Sequence, residues 1–218
     1  MKKAFMILLF IAGAFGVNAQ NIQTHYDMGK DRGYLTTTVE MFKPDKLGNT
    51  FFFIDFDYGV GDQEGVSLSY FEIARCFKLG KKTPFSFHVE YNGGFTKAFT
   101  INDAWLGGID YSWNNSNFTK GFSLKALYKN IRKHDDAGFQ LTGVWYIHFL
   151  DGKMTFNGFM DFWKDKGNFN GKYVFLTEPQ IWYNASKHFA FGGEVELSNN
   201  FVANEFKVMP TLGVKWTF

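Results

Sequence analysis

The chain has 218 residues, a formal net charge of +2 and one cysteine, Cys76, so neither strong attraction to nucleic acid nor an intrachain disulfide is expected. Aromatics make up 20% of the residues, as many as the charged ones, yet beyond the N-terminus no stretch approaches the ~18 to 20 apolar residues of a membrane-spanning helix. Large apolar groups are therefore plentiful but spread in alternation, which excludes a helical membrane protein and points to strands.

The first segment, "MKKAFMILLFIAGAFGVNAQ", combines Lys2 and Lys3 with an apolar run and the small-residue pattern Val17-Asn18-Ala19. It reads as a bacterial-type secretory signal over residues 1–19, cleaved after Ala19, leaving one domain over 20–218. Gln20, not a cysteine, stands directly after the cleavage point, so a lipoprotein anchor is not expected.

From there, segments with a period of two recur along the chain. They are placed near Ile22 to Met28, Tyr34 to Phe42, Thr50 to Tyr58, Val66 to Phe77, Phe85 to Asn92, Ile101 to Trp113, Phe118 to Lys129, Phe139 to Phe149, Met154 to Trp163, Tyr173 to Asn184, Phe189 to Ser198 and Phe206 to Phe218. Compact connections ("KPDKLGN", "LGKKTP", "NNSN", "LDGK", "ASKH") alternate with longer or more polar ones ("GVGDQEG", "GGFTKAFT", "RKHDDAG", "KDKGNFNG", "NNFVANE"). An up-and-down meander with unlike ends gives that alternation. The expected fold is all-β, an antiparallel up-and-down transmembrane β-barrel of about twelve strands, with ten as the alternative.

Which face is outward follows from the polar one. "FSFHVEYN" puts Ser86, His88, Glu90 and Asn92 on one side, and "FFFIDFDYG" puts Asp55 and Asp57 there. Burying such groups unpaired in a dry core costs several kcal/mol each, whereas a wet lumen removes the cost. The apolar face, with Phe85, Phe87, Trp105, Ile109, Leu141 and Ile147, then meets lipid, and Trp113, Tyr128, Trp163, Tyr183 and Trp216 fall near strand ends as interfacial girdles. The last strand, "FKVMPTLGVKWTF", has an apolar parity and ends on Phe218, the ending outer-membrane barrels present to their assembly machinery.

Three stretches carry a resemblance. "NTFFFIDFDYG", "SLSYFEIARCF" and "GVKWTF" resemble the nucleoside-specific channel family of the Tsx type. The resemblance implies a monomeric twelve-stranded outer-membrane barrel with a narrow aromatic and polar pore for nucleosides.

The residues expected to line the pore and meet solute are Phe53, Asp55, Asp57, Glu72, Arg75, His88, Glu90, Asp110, Lys125, Tyr146, His148, Asp161, Glu178, Trp182, Glu194 and Glu196. Glu40, Lys129, Lys207 and Lys215 share the wall, and acids outnumber bases along it. Such a pore favours neutral polar or cationic solutes; the plain alternative is that the charges pair across strands and fill the barrel. Phe51, Phe159 and Trp163 also have the polar parity and could stack on a planar solute or simply pack. Glu72 and Arg75 cannot both face inward in a regular strand, and Pro179 cannot donate to its ladder, so bulges are expected at "FEIAR" and "LTEPQIWY"; Pro210 poses the same problem.

Neither a catalytic Ser-His-acid grouping nor metal-ligand spacing is visible in the sequence, and no cofactor is expected. The function expected is passive diffusion of small polar solutes, possibly nucleosides, through an outer-membrane channel. A non-conducting barrel that binds a ligand or partner through its outer loops is the alternative, and a lipid-modifying barrel enzyme the third reading.

Overall fold

The computed structural model describes residues 20–134, 138–165 and 173–218. The signal segment, and parts of "RKHDDAG" and "KDKGNFNG", lie outside the described residues.

Thirteen strand segments form one sheet: β1 (Gln20–Asp27), β2 (Leu35–Pro44), β3 (Gly48–Tyr58), β4 (Val66–Lys78), β5 (Phe85–Thr96), β6 (Thr100–Asn114), β7 (Lys120–Ile131), β8 (Gly138–Phe149), β9 (Met154–Lys164), β10 (Tyr173–Thr177), β11 (Gln180–Asn184), β12 (Phe189–Asn199) and β13 (Phe206–Thr217). Each pairs antiparallel with its neighbours, and β1 also pairs with β13, from Asn21 opposite Thr217 to Asp27 opposite Thr211, which closes the barrel. β10 and β11 both lie between β9 and β12, so they are two halves of one stave and the barrel has twelve.

Three of the expected irregularities are absent. Across "FEIAR" the ladder with β3 runs without a shift, Phe53 opposite Glu72 and Thr50 opposite Arg75. At Pro179 the chain also keeps its register, since Thr177 opposes Met160 and Gln180 opposes Asn157. The partner strand makes this feasible. Gly158 lies beside the proline, and a Cβ on it would stand 2.5 Å from the Glu178 carbonyl oxygen and 3.0 Å from Pro179 Cα. Pro210 likewise stays in register, opposite Val195. Bulges occur elsewhere, at Asp57/Tyr58 and at Asn92/Gly94. At the first, the Ser67 hydroxyl donates to the Asp57 carbonyl oxygen (3.1 Å) and accepts from the Val60 amide (3.2 Å), so side-chain bonds replace ladder bonds.

Connections at one end are 28–34, 59–65, 97–99 and 200–205, and β7 and β9 also end there, at 132–134 and 165; at the other are 45–47, 79–84, 115–119, 150–153 and 185–188. "GGFTKAFT" is a correction. Most of it is strand, and the hairpin is three residues long because the Thr96 hydroxyl accepts from the amides of Ala98 and Phe99.

The two faces differ as a membrane barrel requires. Outward rings remain uncovered by protein, among them Phe85, Phe87, Trp105, Phe191, Phe206 and Trp216. Neighbouring rings touch, as in Tyr91–Trp105 (4.9 Å between centroids) and Tyr183–Phe191 (5.1 Å). An apolar surface wrapped around a whole molecule has no stable place in water. Trp163 is the exception to the expected girdle: it faces the lumen and is buried with Val174 and Leu176.

Candidate functional site

The strand register places every expected pore residue on the inner face except Arg75. His25, Asp27, Thr36, Thr38, Asp55, Asp57, Tyr70, Glu72, Cys76, His88, Glu90, Asp110, Lys125, Lys129, Tyr146, His148, Asp161, Trp182, Glu194 and Glu196 fall on one continuous inner parity around the sheet. Phe53 shares it through Glu40 and Glu72, and Glu178 through the unbroken register of the β10–β11 stave.

Arg75 points the other way. Its guanidinium grips Asp45, in the 45–47 turn, with two hydrogen bonds (2.6 and 2.9 Å), donates to the Thr50 hydroxyl and lies over the Phe77 ring. Its parity is that of Ile73 and Phe77, so it serves the rim and not the lumen. The arginine's hydrogen bonds hold the Asp45 carboxyl well below its ordinary value, helped by the Leu47 and Gly48 amides.

Along the seam, β1–β3 with β11–β13, the charges meet a residue that the sequence alone did not single out. Arg32, in the 28–34 connection, donates to Asp27 (2.7 Å) and Glu196 (3.0 Å). Burial opposes its charge, but Glu196 and Asp27 outweigh this and hold the guanidinium above its usual value. Burial likewise pushes the neighbouring Tyr34 phenol up. Asp57 accepts from the Thr36 hydroxyl (2.7 Å), Asp55 from Thr38 (2.5 Å) and Glu194 from Gln180 (2.8 Å). Trp182 is fully enclosed, with His25 edge-on (5.5 Å) and the Lys215 ammonium over its face (4.0 Å).

On the far side, β4–β9, partners come from the strands themselves. Tyr70 donates to Glu72 (2.7 Å), and His88 Nε2 meets Glu90 (2.9 Å). Lys129 donates to Gln140 (2.7 Å) and covers the Trp163 ring (4.4 Å), while Asp161 accepts from Thr142 and Gln140. The Asp110 carboxylate accepts from Ser112 and Ser123. Lys125 stands opposite Asp110 in register.

Toward the end that holds the 45–47 and 115–119 turns, the wall is looser. Phe51, Phe53 and Tyr146 keep part of their surface, and His148, bonded to Thr155 (2.9 Å), is exposed. Trp163 and Trp182, by contrast, have a face already occupied by a lysine.

The sequence of residues 19–218 matches the family model described as "Domain of unknown function (DUF5020)". The chain belongs to that family. No curated protein sequence matches it significantly. Among solved structures, the DUF5020 barrel is similar to the NanC porin (TM-score 0.62, 12% identity, 92% of this chain and 100% of that one). It is also similar to the KdgM porin solved in complex with disordered oligogalacturonate (TM-score 0.57, 13% identity, 92% and 99%). At these identities the likeness is one of fold: a closed twelve-stranded antiparallel barrel of the outer-membrane porin type.

Proposed function

We propose that this chain is an outer-membrane channel for small polar solutes, neutral or cationic, with both termini and the shorter turns on the periplasmic side. The observation that carries the reading is the contrast between the two faces: an apolar, aromatic outer wall suited only to lipid, and an inner wall whose carboxylates outnumber Lys125, Lys129, Lys207, Lys215 and the inward-reaching Arg32. Like charges lining a narrow space bounded by low-dielectric walls focus a negative potential, which favours cations over anions. The KdgM porin was solved with an acidic sugar chain; the acid excess here argues for a different cargo.

Nucleosides are the specific candidate, guided by the likeness to the Tsx family. The partly uncovered rings of Phe51, Phe53 and Tyr146 could stack on a flat base for about 1–3 kcal/mol each, and the carboxylates could accept from sugar hydroxyls. Export by the cleavable signal, delivery through the terminal strand ending on Phe218 and a monomeric state belong to the same reading.

A second reading has its own support. Trp182, His88 and Val174 are fully enclosed, so side chains fill much of the interior, and a barrel that binds through its longer connections without conducting would be built this way.

Planar-bilayer recordings on the purified barrel separate the two. A cation-selective conductance that nucleosides reduce supports the channel; no conductance from a folded, heat-modifiable barrel rejects it. Asp55 and Asp57 take hydrogen bonds from threonines, and asparagine can still accept these. The double change Asp55→Asn with Asp57→Asn is therefore expected to lower cation preference and leave the melting temperature nearly unchanged. Unchanged selectivity with a large loss of stability would make these carboxylates structural.

A further inference from the structure

The geometry points to a metal site on the inner wall, formed by Cys76, His88 and Asp110 and suited to a zinc-like divalent ion. The three residues sit on adjacent strands β4, β5 and β6, near the end that holds the 79–84 and 115–119 turns. All are buried, at 4%, 0% and 4% exposure. Cys76 Sγ is 3.3 Å from His88 Nδ1 and 3.7 Å from Asp110 Oδ2, and the three donor atoms lie within 4.8 Å of one another. Zinc bonds of about 2.3 Å to sulfur and about 2.0 Å to nitrogen or oxygen put the donor-to-donor edges of a tetrahedron at roughly 3.5 Å. The two measured edges straddle that value.

The surroundings have the other features such a site needs. Glu90 is 2.9 Å from His88 Nε2, so that nitrogen carries the proton and Nδ1 turns a lone pair toward Cys76 and Asp110. A carboxylate behind a ligating imidazole is the usual second layer of a zinc site. Ser112 and Ser123 hold the Asp110 carboxylate in place. Without metal, a single thiol proton has two acceptors facing it, Nδ1 and Oδ2. With metal, that proton leaves to water and the thiolate takes its place as a ligand. Three protein donors leave a fourth tetrahedral position for a single water. Thiolate with imidazole selects zinc or copper over magnesium and calcium.

A competing use, a Cys-His nucleophile oriented by Glu90, would need a substrate to reach the sulfur, whereas Cys76 and His88 are both buried. The metal proposal stands whether or not the lumen conducts.

The test uses the barrel extracted from membranes without a polyhistidine tag, stripped with chelator and titrated with Co2+ and then Zn2+. Because Cys76 is the only cysteine, a sulfur-to-cobalt charge-transfer band at one ion per chain reports its ligation without any variant. The expected result is that band, its loss as zinc displaces cobalt, and its absence in Cys76→Ala. Glu90→Gln should weaken zinc binding by about 10- to 100-fold, and Asp110→Asn, which keeps the shape, by more. A folded, heat-modifiable wild type that shows no thiolate band and holds no more zinc than Cys76→Ala overturns the proposal. Should Cys76→Ala fail to fold, the wild-type band alone decides.

Discussion

Along the seam, Asp27 and Glu196 share one guanidinium that arrives from a connection, whereas on the far side Asp161 is held by Thr142 and Gln140, both from the neighbouring strand. The first arrangement balances buried charge with charge, carried by a segment outside the sheet. The second satisfies a carboxylate with neutral dipoles already fixed by the ladder. The lesson is that similar buried carboxylates can differ in what they depend on: Asp27 and Glu196 on the placement of a loop, Asp161 on the sheet alone.

The largest effect expected breaks the seam. Arg32→Ala leaves Asp27 and Glu196 without their shared partner, and removing one member of a buried ion pair costs about 3–5 kcal/mol. Guanidinium unfolding in detergent should show that loss, and a loss below about 1 kcal/mol would mean that water already screens the cluster. Lys129→Met sharpens the comparison from the other side. Gln140 loses a charged donor, but Asp161 keeps Thr142 and Gln140, so the same experiment should read about 2 kcal/mol. A loss equal to that of Arg32→Ala would erase the distinction.

The smallest effect lies at the rim. The Asp45 carboxyl is held below its ordinary value, so its contact with Arg75 stabilises the fold at neutral pH and is lost only as pH falls through the lowered folded value. Melting curves of wild type and Arg75→Gln should differ slightly at neutral pH and converge in strong acid. Both groups are partly exposed, and solvent screens the pair.

Strand positions and facing were legible because parity is local: Asp55 and Asp57 alternate with Ile54 and Phe56 whatever the neighbours do. Arg75 failed because a mixed stretch such as "FEIAR" has two parities with some polar character, and only its partner Asp45, thirty residues back, decides between them. The bulge expected at Pro179 is absent for a related reason. Its accommodation is written in Gly158 on the next strand, and a single stretch of sequence does not show which residue will stand opposite. Arg32 was invisible to alternation because it lies in a connection, and the Cys76, His88 and Asp110 group because its members are twelve and twenty-two residues apart and meet only across three strands. The lysines over Trp163 and Trp182 were hidden in the same way, since Lys129 reaches across β8 and Lys215 across β12.

The pairing of β1 with β13 also has a consequence in time. Every other neighbouring pair is a hairpin, able to zip as soon as its two strands exist, but Asn21 waits for Thr217. Distance along the chain adds little to the cost, about 0.6 kcal/mol for each doubling of the loop. The open edges matter more, since each unpaired backbone group in hydrocarbon costs several kcal/mol. In a bilayer, a sheet lacking this last ladder would leave two open edges in hydrocarbon, so on the membrane reading a substitution weakening β1 is expected to slow closure against β13.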